Sequence, residues 1–159
     1  MSLRRQSLAA AGIALATAAV GGALTRLDDW YFELQQPWFK PPDWAFGPAW
    51  TLIFTLTAVA GVLCWRAARE PRLQRWILSL FVLNASLNVL WSALFFWLQR
   101  PDWALLEVGV LWASVALLVY VASRFQYQAA LLLLPYLGWV SLASLINLEV
   151  VILNGPFGR

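Results

Sequence analysis

Histidine is missing from the 159 residues, and cysteine occurs once, as Cys64. The first absence excludes histidine-based metal sites, imidazole ligation of heme, and Ser/His or Cys/His nucleophilic catalysis. The second excludes a disulfide within the chain. Cys64 itself lies in an apolar run, where a thiol reads as a small packing residue. Charge is also scarce, with 12% of residues Asp, Glu, Lys or Arg, against about a quarter in an average soluble domain. Chemistry, if there is any, is left to carboxylates, aromatic rings or light. The net charge of +3 does not imply nucleic-acid binding, because most of the arginines stand at the ends of apolar runs, where they anchor helices.

What the chain has in abundance is apolar surface: 62% of residues are hydrophobic and 11 are tryptophan. Residues 29–50 read DWYFELQQPWFKPPDWAFGPAW, a run holding Trp30, Tyr31, Trp38, Trp44 and Trp50 together with four prolines. Rigid, amphipathic rings suit a cap at a membrane boundary that covers a flat apolar ligand better than they suit a flexible linker.

Crossing about 30 Å of hydrocarbon takes roughly 20 apolar residues in a helix. Five segments qualify, at about 7–25, 44–66, 76–99, 103–123 and 127–150. The expectation is an all-α membrane protein, a single domain over 1–159, with a five-helix bundle and a long Trp/Pro-rich first loop. Short joints make consecutive helices antiparallel neighbours. Pro101 ends one helix and Asp102 is placed to cap the next. Arg4-Arg5 and the apolar run after them resemble a secretory signal, but the run is long for a signal core. Ala10, Ala14, Ala18 and Gly22 repeat at i+4 spacing, a small-residue strip suited to close helix contact, so the segment is read as a retained helix. Basic residues number seven on the side of the amino end (Arg4, Arg5, Arg66, Arg69, Arg72, Arg75, Arg124) and four on the other (Arg26, Lys40, Arg100, Arg159). That bias puts the amino terminus in the cytoplasm, and a helical bundle ordinarily belongs to an inner rather than an outer membrane.

Polar groups recur on aromatic stripes. At ~100° per residue, Asn84, Asn88, Trp91 and Phe95 share a face of the third span. Tyr136, Trp139, Ala143 and Asn147 share one on the fifth, and Phe46, Trp50, Phe54 and Thr57 share one on the second. An unpaired amide is costly in hydrocarbon, so these faces look inward. They either tie the helices together or line a pocket with flat walls and few polar contacts. Trp76, Trp97 and Trp103, near helix ends, read as interface belt or packing. Pro48 and Pro135 interrupt helices beside the stripes. Glu107 and Glu149 are the carboxylates nearest the hydrocarbon, and both read as lying near helix ends at the interface.

Taken together, Trp30-Tyr31, Leu34, Pro37, Pro41-Pro42, Trp44, Phe46, Pro48 and Trp50, then Asn84-x-x-x-Asn88-x-x-Trp91 and Pro135-Tyr136-x-x-Trp139-x-x-x-Ala143-x-x-x-Asn147, resemble the TspO/MBR family. Its members are the bacterial tryptophan-rich sensory proteins and the mitochondrial translocator protein, or peripheral-type benzodiazepine receptor. The resemblance spans nearly the whole chain. It implies a five-helix bundle, usually dimeric, with a pocket under the first loop for porphyrins, heme-related tetrapyrroles and, in some members, cholesterol or benzodiazepine-type ligands. By match to the motif, the pocket residues are Trp30, Tyr31, Phe46, Trp50, Asn84, Asn88, Trp91, Trp139, Ala143 and Asn147, with Tyr136 joining them from its stripe. Some bacterial relatives promote light-dependent breakdown of protoporphyrin, attributed to tryptophans matching Trp50 and Trp139. The family's cholesterol segment wants a Tyr and then a basic residue after Asn147. Here the chain reads Leu148-Glu149-Val150-Val151-Ile152, so sterol binding is not implied.

The functional expectation is a receptor-like, porphyrin-binding sensory protein of a bacterial membrane, forming a homodimer and requiring no metal or cofactor. The ring would stack on Trp50 and Trp139, amides of Asn84, Asn88 and Asn147 would meet its polar edges, and the loop 26–43 would close over it with Arg26 or Lys40 near the propionates. The alternative is a light-dependent porphyrin-degrading enzyme with Trp50 and Trp139 as its catalytic groups. A transporter is disfavoured, since five spans show neither a repeat nor a central charge pair.

Overall fold

The structure, a computed structural model, describes residues 3–158; Arg159, counted above in the charge bias, lies outside them. The described residues form α1 (Leu3–Leu24), α2 (Asp29–Glu33), α3 (Phe46–Ala67), α4 (Pro71–Ser92), α5 (Pro101–Phe125) and α6 (Tyr127–Asn154), with no strand among them. A 3-10 turn, Asp43–Ala45, leads into α3, and a π-helical turn, Ala93–Trp97, extends α4. Five of these helices, all but α2, are long and apolar enough to cross a membrane.

The ends differ from expectation where local chemistry allows the helix to run on. α4 begins at Pro71 rather than near 76, because proline at the first helical position gives up an N–H that would lack a partner anyway. The joint to α3 is thereby reduced to residues 68–70. Gln74 reaches back across it, its side-chain amide donating to the carbonyls of Trp65 at 3.2 Å and Ala68 at 2.9 Å and capping α3. Pro48 does not interrupt α3; it sits in the first turn, where no helical bond is lost. Pro135 does lie inside α6. Asp102 is not the cap residue: it stands in the first turn of α5 behind Arg100, which holds the cap position, and pairs with that guanidinium at 2.8 Å.

The spanning helices close a ring in the order α1, α3, α6, α5, α4. Helices joined by short turns pack together at α4–α5 and α5–α6, but α3 and α4 touch each other less than each touches α1. The first span therefore packs against both. Three apolar tiers fill the bundle. Cys64, Ile77, Leu118 and Leu133 pack near the arginine-rich end, Ile53, Leu111, Val115 and Val140 in the middle, and Tyr31, Phe95, Ile146 and Val150 beneath the first loop. Trp76, Trp97 and Trp103 are about half exposed (47–49%), as belt residues would be.

Candidate functional site

The loop between α1 and α3 is braced within itself and pinned to the helices beneath it. Asp28 caps α2 by accepting the Tyr31 N–H at 3.3 Å. The phenol of Tyr31 donates to Asp43 at 2.9 Å and lies 3.1 Å from the Lys40 ammonium, which is itself paired with Asp43. Farther along, the Gln35 N–H donates to the Asn154 side-chain oxygen at 2.8 Å, and the Asn154 amide returns a bond to the Gln35 carbonyl at 2.9 Å. Trp30 meets Phe95 edge to face at 6.3 Å. The result is a lid fixed to α6 and to the end of α4, while Trp38 and Trp44 face outward.

Under the lid lies a cavity of about 980 Å³. Trp50 and Trp139 stand edge to face, with ring centroids 6.4 Å apart and planes at 81°. Phe46 packs on Trp139 at 5.3 Å and Phe54 stacks on Trp50 at 5.2 Å. Tyr31, Asn88, Trp91 and Ala143 complete the expected part of the lining. Seven of the eleven anticipated ligand-binding residues thus border one space: Tyr31, Phe46, Trp50, Asn88, Trp91, Trp139 and Ala143.

The other four stand behind it. Trp30 packs in the tier beneath the loop. Asn84 donates to Ser114 at 2.8 Å and faces, with Tyr136, a second cavity of about 140 Å³ between α1, α3 and α4. The Tyr136 phenol accepts from Asn88 at 3.3 Å. Asn147, fully buried, accepts the Trp91 indole N–H at 3.1 Å and donates to the Pro101 carbonyl at 2.8 Å. Asn88 is the one asparagine of the three on the cavity wall; Asn84 and Asn147 join α4 to α5 and α6 to both. Of the cations considered for propionates, Arg26 lies over the Trp97 ring at 3.9 Å and Lys40 is held by Tyr31 and Asp43.

Ser92, Phe96, one whole face of α1 and a second α3 row through Thr51, Thr55 and Val59 also line the cavity and fell outside the sequence reading. Phe96 comes five residues after Trp91, which in a regular helix would turn it about 140° away. The π turn at Ala93–Trp97 brings it back, 5.9 Å from Trp91 and 5.7 Å from Tyr31. Such turns recur at functional sites. The carboxyl of Glu107, expected near a helix end, is buried in the bundle, and neither of its oxygens has a hydrogen-bond partner.

Comparison with known proteins identifies the family. The profile of the TspO/MBR family matches residues 9–153. The chain belongs to the TspO/MBR family. Among its relatives, the tryptophan-rich protein TspO of Archaeoglobus fulgidus is 39% identical over 128 residues, covering 79% of this chain and 80% of the relative. The protein of the same name from Chlorobaculum tepidum is 37% identical over 90% of this chain and 92% of its own length. The tryptophan-rich sensory protein of Cereibacter sphaeroides is 34% identical over 86% and 84%. Membership and five apolar helices together make this TspO/MBR chain an integral membrane protein.

Proposed function

We propose that this TspO/MBR protein binds a tetrapyrrole of the porphyrin or heme-related class in the chamber under the lid, as a sensor rather than as an enzyme. The observation that carries the reading is the Trp50–Trp139 pair at 6.4 Å, which gives a wide planar ligand two aromatic walls inside a space of about 980 Å³. That volume, which takes in the furrow between α1 and α3 as well as the space under the lid, lies at the upper end for small-molecule pockets. Asn88 and Ser92 on α4 supply polar atoms beside the aromatic walls of a mostly apolar lining, the usual division between orientation and burial. The amino terminus is cytoplasmic in this reading, by the arginine bias, and the family resemblance extends it to a homodimer, checked by the mass of the protein–detergent particle.

The test is a titration with protoporphyrin in darkness, following tryptophan fluorescence. Quenching that saturates at micromolar ligand, and weakens about tenfold in Trp139→Ala, supports the reading; no quenching overturns it. A second reading is favoured by the same pair. A photoexcited macrocycle against Trp50 or Trp139 is positioned to take an electron from indole and pass it to dissolved dioxygen, giving superoxide; the indole radical cation then recovers an electron from the macrocycle, whose oxidised ring combines with superoxide and opens. Illumination separates the two readings. Loss of the porphyrin spectrum that requires light and disappears in Trp139→Phe supports degradation, whereas an unchanged spectrum supports binding alone.

A further inference from the structure

The large cavity is longer than a ligand chamber needs to be. Its α1 wall runs from Ser7 to Thr25 and its α3 wall from Phe46 to Arg66. Eighteen residues of helix at ~1.5 Å each make a furrow of about 27 Å, close to the ~30 Å of a hydrocarbon core. Its α1 side is mostly Ala, Gly and Thr, which leaves width for a chain between the two helices, and several of these residues, Ala11 and Ala18 among them, are exposed. One end opens under the lid. The other ends at Arg66, an exposed residue one position before the end of α3.

Charge distinguishes that second end. Arg66, Arg69, Arg72 and Arg75 cluster at the α3–α4 joint, and among the described residues none of the four forms an ion pair. Asp43 and Arg66 are the two charged residues bordering the furrow, and Asp43 is already neutralised by Lys40. An apolar trough with an unpaired guanidinium at its membrane-boundary end has the chemistry of an acyl chain followed by a phosphodiester. Arginine suits that anion through its paired N–H donors.

We propose that the α1–α3 furrow is a binding site for an anionic phospholipid, with the phosphate on Arg66 and an acyl chain lying along the small residues of α1 toward the lid. The furrow and the chamber are two ends of one cavity; the proposal concerns the arginine end, whichever ligand occupies the end under the lid.

Native mass spectrometry of the full-length protein, exchanged from detergent into nanodiscs of phosphatidylglycerol, phosphatidylcholine or their equal mixture, reads it directly. The expected result is one retained phosphatidylglycerol per chain, preferred over phosphatidylcholine. Arg66→Gln should reduce that preference about fivefold, the scale of one basic residue at a membrane surface. Arg72→Gln, which does not border the furrow, should leave it unchanged. Ala18→Leu and Ala11→Leu, at exposed wall positions, should lower retention of either lipid without changing helicity. Equal retention of the two lipids, or equal effects of Arg66→Gln and Arg72→Gln, would overturn the proposal. So would leucine variants that change the oligomeric mass and leave lipid retention intact, since that would assign the furrow to a second copy.

Discussion

The indole N–H of Trp91 donates to the side-chain oxygen of Asn147 at 3.1 Å, and the amide of that asparagine donates to the carbonyl of Pro101 at 2.8 Å. One fully buried side chain therefore fixes an α4 ring that borders the chamber and ties α6 to the start of α5. Asn147→Ala strands the indole donor in an apolar setting. Buried unsatisfied groups cost about 1–3 kcal/mol, and hydrogen bonds measured within membranes run to about 1–2 kcal/mol. A loss of about 1–2 kcal/mol is expected, with Trp91 fluorescence shifted and ligand affinity reduced by release of the ring. Asn147→Asp keeps the acceptor for Trp91 but loses the donor to Pro101. Thermal melts in detergent check both; an Asn147→Ala protein as stable as the parent would contradict the role.

Phe96 offers a test of the π turn. Its ring bridges Tyr31 in the lid and Trp91 in the chamber wall at 5.7 and 5.9 Å. Phe96→Ala should cost about 2 kcal/mol, below the full range for a buried Phe because the ring is only partly buried. It should also loosen the lid, seen as faster amide exchange over residues 28–34, while exchange in α5 stays as it was. Exchange slowed or unchanged at the lid would mean that the Phe96–Tyr31 contact does not support it.

These two residues also show what could be read in advance. The helical stripes through Trp50, Trp91 and Trp139 were legible because α-helical spacing holds along α3, most of α4 and α6. Phe96 was not, because one π turn breaks that spacing and nothing in ALFFW announces it. The asparagines were legible as inward-facing, yet spacing alone does not distinguish a side chain that lines a space from one that bonds a neighbouring helix. Asn88 borders the chamber, whereas Asn147, on an equally good stripe, lies one layer behind. The strip of Ala and Gly on α1 was visible as a close-contact surface. That it walls a furrow depends on where α3 lies across it, which is a tertiary fact.

The lid clasp is expected to open in alkali. Burial disfavours the Tyr31 phenolate and leaves that phenol above its ordinary range. Lys40 is also raised: burial works against its ammonium, but the hydrogen bonds to Asp43 and Tyr31 outweigh that. Both groups hold protons more tightly folded than unfolded. Their contribution is therefore complete below the usual tyrosine and lysine values, about pH 10, and is lost as pH rises through the raised ones. A spin label at Glu33→Cys, on a Cys64→Ser background, should stay immobile from neutral pH to about pH 10 and become mobile above it. In a Lys40→Met background the label should already be mobile at neutral pH. Mobility independent of both pH and Lys40 would show that the Gln35–Asn154 pair and the Trp30 and Tyr31 ring contacts retain the lid without the clasp.

Glu107 yields the opposite kind of prediction, a gain. Its carboxyl is buried on α5, 8% exposed, and neither oxygen has a hydrogen-bond partner. A buried polar group without partners costs about 1–3 kcal/mol, and charged or polar side chains inside a membrane are retained chiefly where function needs them. Glu107→Met, similar in length and apolar, removes the unsatisfied oxygens without opening a large void. The variant should therefore melt later than the parent by several degrees. If the carboxyl is there for function, the same variant should lose ligand response while gaining stability. A Glu107→Met protein that melts earlier would mean the carboxyl supports the native bundle, and the argument from its missing partners would fail.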